Sequence, residues 1–162
     1  MTAPIHDDVS ALAAVSGPLI GLDLGAKTIG VAVSDGMRIS ATALETVRRA
    51  KFSADAARLQ EIIAGRGIAA IVLGLPRNMD GSEGPRCQST RAFARNLAAR
   101  IDQPIAFWDE RLTTIAAKRA LLEADSSRKR RSEVIDKVAA AYILQGALDR
   151  LAAVARENDN DR

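Results

Sequence analysis

The chain has 162 residues and a mass of 17.2 kDa, with 48% apolar, 27% charged and 3% aromatic residues; that size makes one domain, able to bury a core without a disulfide or metal staple. A single cysteine, Cys87, excludes an internal disulfide framework and multi-cysteine zinc sites, and a single histidine, His6, leaves almost nothing for Ser-His-Asp or Cys-His catalysis. The net charge of +3 excludes a highly charged disordered protein and understates the body, where residues 19–155 hold 21 bases against 15 acids, a net of +6 that favours an anionic partner.

Residues 1–18 end in Gly17-Pro18 and lack a basic leader, so they are expected to be a mobile tail rather than a signal peptide. Residues 19–24, almost wholly apolar, predict a strand buried on both faces. A turn at Gly25-Ala-Lys-Thr28 returns the chain as a second strand over 29–34, and a third strand falls within 39–47. Ser53 is the expected cap of a helix to about Ala64, with Gly65 and Gly67 as terminators. Residues 69–73 predict a buried strand that ends at the turn-rich loop 74–84. A helix over 86–100, a strand over 104–108 and a helix over 113–123 follow. Residues 124–131 read as a basic linker, and Ser132 caps a last helix to about Ala153. Residues 156–162 form a second expected tail.

The order predicts an α/β sheet of mixed strand direction, covered by helices. Residues 19–155 are one domain. No run of about 18 apolar residues stands out as a membrane span, and a cytoplasmic protein with a reduced thiol is the expectation.

Carboxylates are the remaining chemistry. Asp23 interrupts an apolar strand, where a charge is costly unless it is paired or binds a cation; the alternative is that it accepts hydrogen bonds from the following turn. Asp136 shares a helix face with Ala139, Ala140 and Ile143, although a first-turn acid is also favoured by the helix dipole. Asp109 and Glu110 follow a strand, where ligands collect in open α/β sheets. Adjacent residues face opposite ways, so either of the two is the candidate. Three such acids without histidine or thiolate make a hard oxygen site suited to Mg²⁺ or Mn²⁺. Phe107 and Trp108 read as core or rim, and the scarcity of aromatics argues against stacking platforms for single strands.

Four segments stand in the order and spacing of the YqgF/RuvX family, which the chain resembles over about residues 19–151: Gly21-Leu-Asp-Leu-Gly-Ala-Lys-Thr-Ile-Gly30, Gly74-Leu-Pro-Arg-Asn-Met-Asp-Gly81, Asp109-Glu-Arg-Leu-Thr-Thr114 and Ile135-Asp-Lys-Val-Ala-Ala140. Members are described as Holliday junction resolvases and pre-16S ribosomal RNA nucleases. The resemblance implies a ribonuclease H-like fold with a five-stranded mixed sheet, the second strand antiparallel, and helices on both faces. It implies catalytic metal ligands at Asp23, Glu110 and Asp136, with Asp109 the alternative to Glu110, and Mg²⁺ or Mn²⁺ as cofactor. It also implies substrate contacts from Lys27, Arg77, Asn78 and Arg111. The basic run Arg128, Lys129, Arg130 and Arg131 fits phosphate neutralisation beside Asp136. The function expected is a nuclease, a hydrolase of phosphodiester bonds in structured RNA during pre-16S processing, with branched DNA as second substrate and a monomer or homodimer as the working form. Two other classes compete: a nucleic-acid-binding factor without catalysis, and an actin-like ATPase or sugar kinase, suggested by Asp23-Leu-Gly25 before Lys27-Thr28 but needing a second lobe.

Overall fold

The structure, a computed structural model, describes residues 2–112 and 128–161, and of residues 128–133 only the backbone. The expected helix 113–123 and linker residues 124–127 lie outside the described residues. Six strands form one sheet: β1 (Ile5–His6), β2 (Leu19–Leu24), β3 (Thr28–Ser34), β4 (Ala41–Arg48), β5 (Ala70–Leu75) and β6 (Ile105–Asp109), in the spatial order β1-β6-β5-β2-β3-β4. Only β3 runs against the others. The five expected strands are all present. The sixth, β1, lies in the segment expected to be a tail.

Helices α1 (Phe52–Arg66) and α2 (Pro85–Ala98) cover one face, over Ile20, Leu22, Ile71, Leu73, Ile105 and Phe107. The long α3 (Arg128–Asn160) covers the other, placing Ala139, Ala140, Ile143, Leu144, Ala147 and Leu148 on Leu19, Ala70, Val72 and Trp108. This ribonuclease H-like arrangement exploits the period-two alternation of β2, β5 and β6, each of which feeds both cores. The stretch Val134–Asn160 of α3 meets the length and composition of a membrane span; its apolar side is nevertheless packed on the sheet, as in the core helix of a globular domain.

Several boundaries differ from expectation for local reasons. Ser53 is not the cap of α1: Lys51 occupies that place without a side-chain bond. Instead the buried Asp55 reaches back to accept from the Ala50 N–H at 3.0 Å. Gly67 ends the helix in the left-handed conformation (φ 61°), the αL closure glycine adopts without a Cβ penalty. The described part of α3 starts at Arg128, so Arg128–Arg131 are helical rather than part of a linker, and the helix runs to Asn160 through residues expected to be a tail.

The N-terminal segment is packed. Ile5 and His6 pair with Ile105 and Ala106, and a 3-10 turn (Val9–Ala14), capped by Asp8 through the Ser10 N–H at 2.9 Å, buries Val9 and Leu12 against α3. Arg38 holds the rest, its guanidinium donating to the carbonyls of Gly17 (2.7 Å), Leu12 (2.9 Å) and Val15.

Candidate active site

The parallel strands β2, β5 and β6 end on the same side of the sheet, and the candidate acids gather there. Asp23 is 2% exposed on β2. It points to the α3 side, since its neighbours Leu22 and Leu24 belong to the opposite core. In register, Asp23 faces Gly30 of β3, and one step beyond the pair Leu22–Leu73 lies Gly74 of β5. Both glycines are there for a steric reason. A Cβ on Gly30 would lie 1.9 Å from the carbonyl oxygen of Asp136, and one on Gly74 would lie 2.9 Å from Glu110 Oε1 and 2.5 Å from Ile143 Cδ1. Gly21 repeats the pattern, with Leu144 Cβ at 2.7 Å. A trough of glycines therefore lets α3 rest on the sheet backbone.

The consequence is a row across three strands: Glu110 above Gly74, then Asp23, then Asp136 above Gly30. Neighbouring strands are about 4.8 Å apart, so Gly74 and Gly30 each lie roughly one strand spacing from Asp23. Thr28, on the same face of β3, donates its hydroxyl to Asp136 Oδ2 and fixes that carboxylate.

Asp109 does not join this row. It shares its strand face with Phe107, on the α2 side, and Arg111 holds it through Nη2 at 2.6 Å and Nε at 3.1 Å. Those hydrogen bonds keep the Asp109 carboxyl below the usual carboxylate range against the opposing effect of burial. Of the two acids sequence could not separate, Glu110 is the one on Asp23's side of the sheet.

The other candidate residues are distributed around the rim. Lys27 is exposed in the β2–β3 turn. Asn78 is tied up inside its own loop, donating from Nδ2 to Ser82 Oγ at 3.0 Å. Arg111, already paired with Asp109, also donates to the Met79 carbonyl at 3.3 Å and so staples loop 74–84 to the end of β6. Arg77 lies 3.6 Å from Glu83, which is itself gripped by Arg91 at 2.6 and 2.8 Å. Side-chain roles for Arg128, Lys129, Arg130 and Arg131 fall outside the described residues.

Sequence reasoning passed over Thr28, Arg91, Glu83 and the two glycines beneath the acids. The signal for Gly30 and Gly74 was their placement one strand to either side of Asp23, visible only once the register is known.

The donor set fits a hard divalent cation: oxygen donors alone, above two positions where a Cβ would intrude. Among the described residues no three His, Cys, Asp or Glu side chains already close on one point. Carboxylates in such a row suit Mg²⁺ or Mn²⁺, which bind through one or two carboxylates with substrate oxygens completing the shell.

A ribonuclease H-like sheet with an acidic row at its strand ends defines a class, the nuclease domains of that fold. Residues 17–150 match the family model described as RuvX, Holliday junction resolvase, and the chain belongs to that family. It is 66% identical over 158 residues to a protein of Cereibacter sphaeroides, covering 96% of this chain and 99% of the other, and 69% identical over 150 residues to one of Ruegeria pomeroyi, covering 91% and 97%. Both relatives carry the name "Putative pre-16S rRNA nuclease". Among solved structures, T. thermophilus RuvC in complex with Holliday junction substrate shares the fold, with TM-score 0.50 and 14% identity over 83% of this chain and 96% of that one.

Proposed function

We propose that the chain is a metal-dependent nuclease that hydrolyses phosphodiester bonds in structured RNA, acting on the 5′ end of the 16S ribosomal RNA precursor. The observation that carries this reading is the acid–glycine row Glu110–Gly74–Asp23–Gly30–Asp136. The names of the relatives support RNA as substrate, and the family description makes branched DNA the second substrate of the same chemistry.

Asp23, Glu110 and Asp136 would hold Mg²⁺ or Mn²⁺. When bound, the ion supplies an activated water at neutral pH and offsets charge developing on the phosphate. The chain's own residues do the positioning. Burial restrains Asp23 in the sheet, Thr28 orients Asp136, and the Gly74 gap admits the Glu110 carboxylate. Lys27 and Arg77 at the rim, with the basic residues Arg128–Arg131 of α3, would meet backbone phosphates, and each contact adds a salt-dependent increment to affinity. A symmetric four-way junction would require a homodimer, whereas trimming of ribosomal RNA would not.

The test is cleavage of a pre-16S transcript beside a four-way junction, with Mg²⁺ or Mn²⁺, by the wild type and Asp23→Asn. Expected is cleavage of the transcript that the substitution abolishes while far-UV circular dichroism and Tm stay native. Undiminished cleavage by the variant removes Asp23 from the mechanism, and binding that persists in chelator without cleavage under any metal identifies a binding factor instead.

A further inference from the structure

Asp23 is held by strand β2 and Asp136 by helix α3, whereas Glu110 opens a three-residue 3-10 turn at the end of β6. So short a 3-10 turn is held only weakly by its own backbone. The aim of the Glu110 side chain therefore depends on what surrounds it.

The residues on either side of Glu110 are tied to each other. Asp109 Oδ1 accepts the backbone N–H of Arg111 at 3.0 Å, which closes a ring around Glu110. The Arg111 side chain folds back on the same carboxylate, with Nε 3.1 Å from both oxygens and Nη2 2.6 Å from Oδ2. Its Nη1 donates to the Met79 carbonyl at 3.3 Å, and the guanidinium lies against Gly81, where a Cβ would stand 3.4 Å from Nη1. On the other side, the Glu110 carboxylate overhangs Gly74, whose Cβ would lie 2.9 Å from Oε1 and 3.3 Å from Cγ. A ring fixes the backbone of Glu110, and a glycine gap admits its carboxylate.

The same geometry argues against Arg111 as a phosphate contact. Its charge is matched by Asp109, and Asp80 adds a second negative charge nearby. The guanidinium holds its proton more firmly than usual, chiefly through the Asp109 hydrogen bonds and further through the charges of Asp109 and Asp80. A phosphate approaching Arg111 would meet both carboxylates.

We propose that Arg111 is a positioning residue rather than a substrate contact: paired with Asp109, it locks the turn after β6 so that Glu110 stays over Gly74 in the acidic row. This departs from the substrate-side role that the family resemblance implies for Arg111. It also gives Asp109, the acid that stands outside the row, a part in building it. The proposal rests on the nuclease reading, in which Glu110 holds the metal.

The probes are Mn²⁺ alone, titrated into the full chain by calorimetry, and a fluorescently labelled pre-16S transcript, bound in chelator at several salt concentrations. Arg111→Gln removes the charge, and Arg111→Lys keeps it while losing the planar fork that matches a carboxylate. Expected is Mn²⁺ affinity about ten- to a hundredfold weaker in both variants, the usual effect of losing a group that orients a metal ligand. The slope of log affinity against log salt should match the wild type in both, since loss of one phosphate contact would change it by about 0.7–0.9. Arg111→Lys decides alone if Arg111→Gln does not fold. Mn²⁺ affinity unaltered in either folded variant, or a slope reduced by one contact in Arg111→Gln, overturns the proposal. Wild-type protein that binds no Mn²⁺ removes the nuclease reading and this proposal together. Mn²⁺ affinity lost in Asp23→Asn but kept in the Arg111 variants leaves that reading standing and removes this one.

Discussion

Replacing Gly30 by alanine tests whether the glycine trough sets the position of the acidic row. The new Cβ would lie 1.9 Å from the Asp136 carbonyl oxygen, 2.3 Å from its carbon and 2.9 Å from the Lys137 nitrogen, all of them backbone atoms. Ordinary contact begins near 3.4 Å, so the first turns of α3 must retreat by about 1.5 Å. Overpacking of this kind costs about 1–3 kcal/mol, and the upper end applies because no side chain can rotate away. At about 2–4 °C per kcal/mol for a chain of this size, Tm falls by about 6–12 °C. Asp136 travels with the helix and loses the Thr28 hydrogen bond, and a displacement of about 1 Å at a reacting group is worth about a hundredfold in rate. The assay pairs thermal unfolding with transcript cleavage, measured well below the lowered Tm. Gly74→Ala meets only side-chain atoms, Ile143 Cδ1 and the Oε1 and Cγ of Glu110, so it should lose less stability yet still lower activity. Gly36→Ala meets nothing within 4 Å, and should be neutral or about 0.4–1 kcal/mol more stable. A Gly30→Ala protein that melts with the wild type and cleaves normally refutes the argument.

Two other expectations concern the rim. Arg91 joins Glu83, Asp7 at 2.9 Å and the Phe107 ring at 4.8 Å; with these groups partly exposed, Arg91→Ala should cost about 1 kcal/mol and speed amide exchange at residues 5–8 and 77–84, and unchanged exchange there would show that the N-terminal segment is held by other contacts. Asp109 is ionised more readily in the fold than in the unfolded chain, chiefly through its Arg111 hydrogen bonds, so its stabilisation is fully present above the unfolded value of about 3.9 and is lost as pH falls through the lower folded value. Denaturant titrations at pH 7 and below pH 4 should therefore show Asp109→Asn less stable at pH 7 and converging on the wild type in acid. A gap that stays constant across that range contradicts the assignment.

The sheet was legible in the sequence because β2, β3, β5 and β6 are short apolar runs bounded by turn residues, and period-two burial leaves little choice of arrangement. The acids were legible individually, Asp23 most clearly because an ionisable residue within an apolar strand demands a reason. Choosing Glu110 over Asp109 needed the face of each residue at the end of β6, which the chain decides by leaving β geometry at Glu110 and entering a 3-10 turn. The packed N-terminus escaped notice because its anchors are not local: Arg38 reaches back more than twenty positions to the Leu12, Val15 and Gly17 carbonyls, and composition carries no trace of such a bond. Residues 128–131 are helical rather than a linker because Arg and Lys are good helix formers, whatever their solvation suggests.

Strand β1 is two residues long, yet it changes what the sheet presents to other molecules. Without it, the hydrogen-bonding groups along the outer side of β6 would be an open template for another chain's strand. With it, Ile105 and Ala106 of that edge are paired, by a strand preceded by Pro4, whose nitrogen cannot donate. The opposite edge, β4, carries Glu45 and Arg48, charges of the kind that discourage strand addition. A segment outside the family-matched region thus shortens the free edge of the sheet at its β6 end.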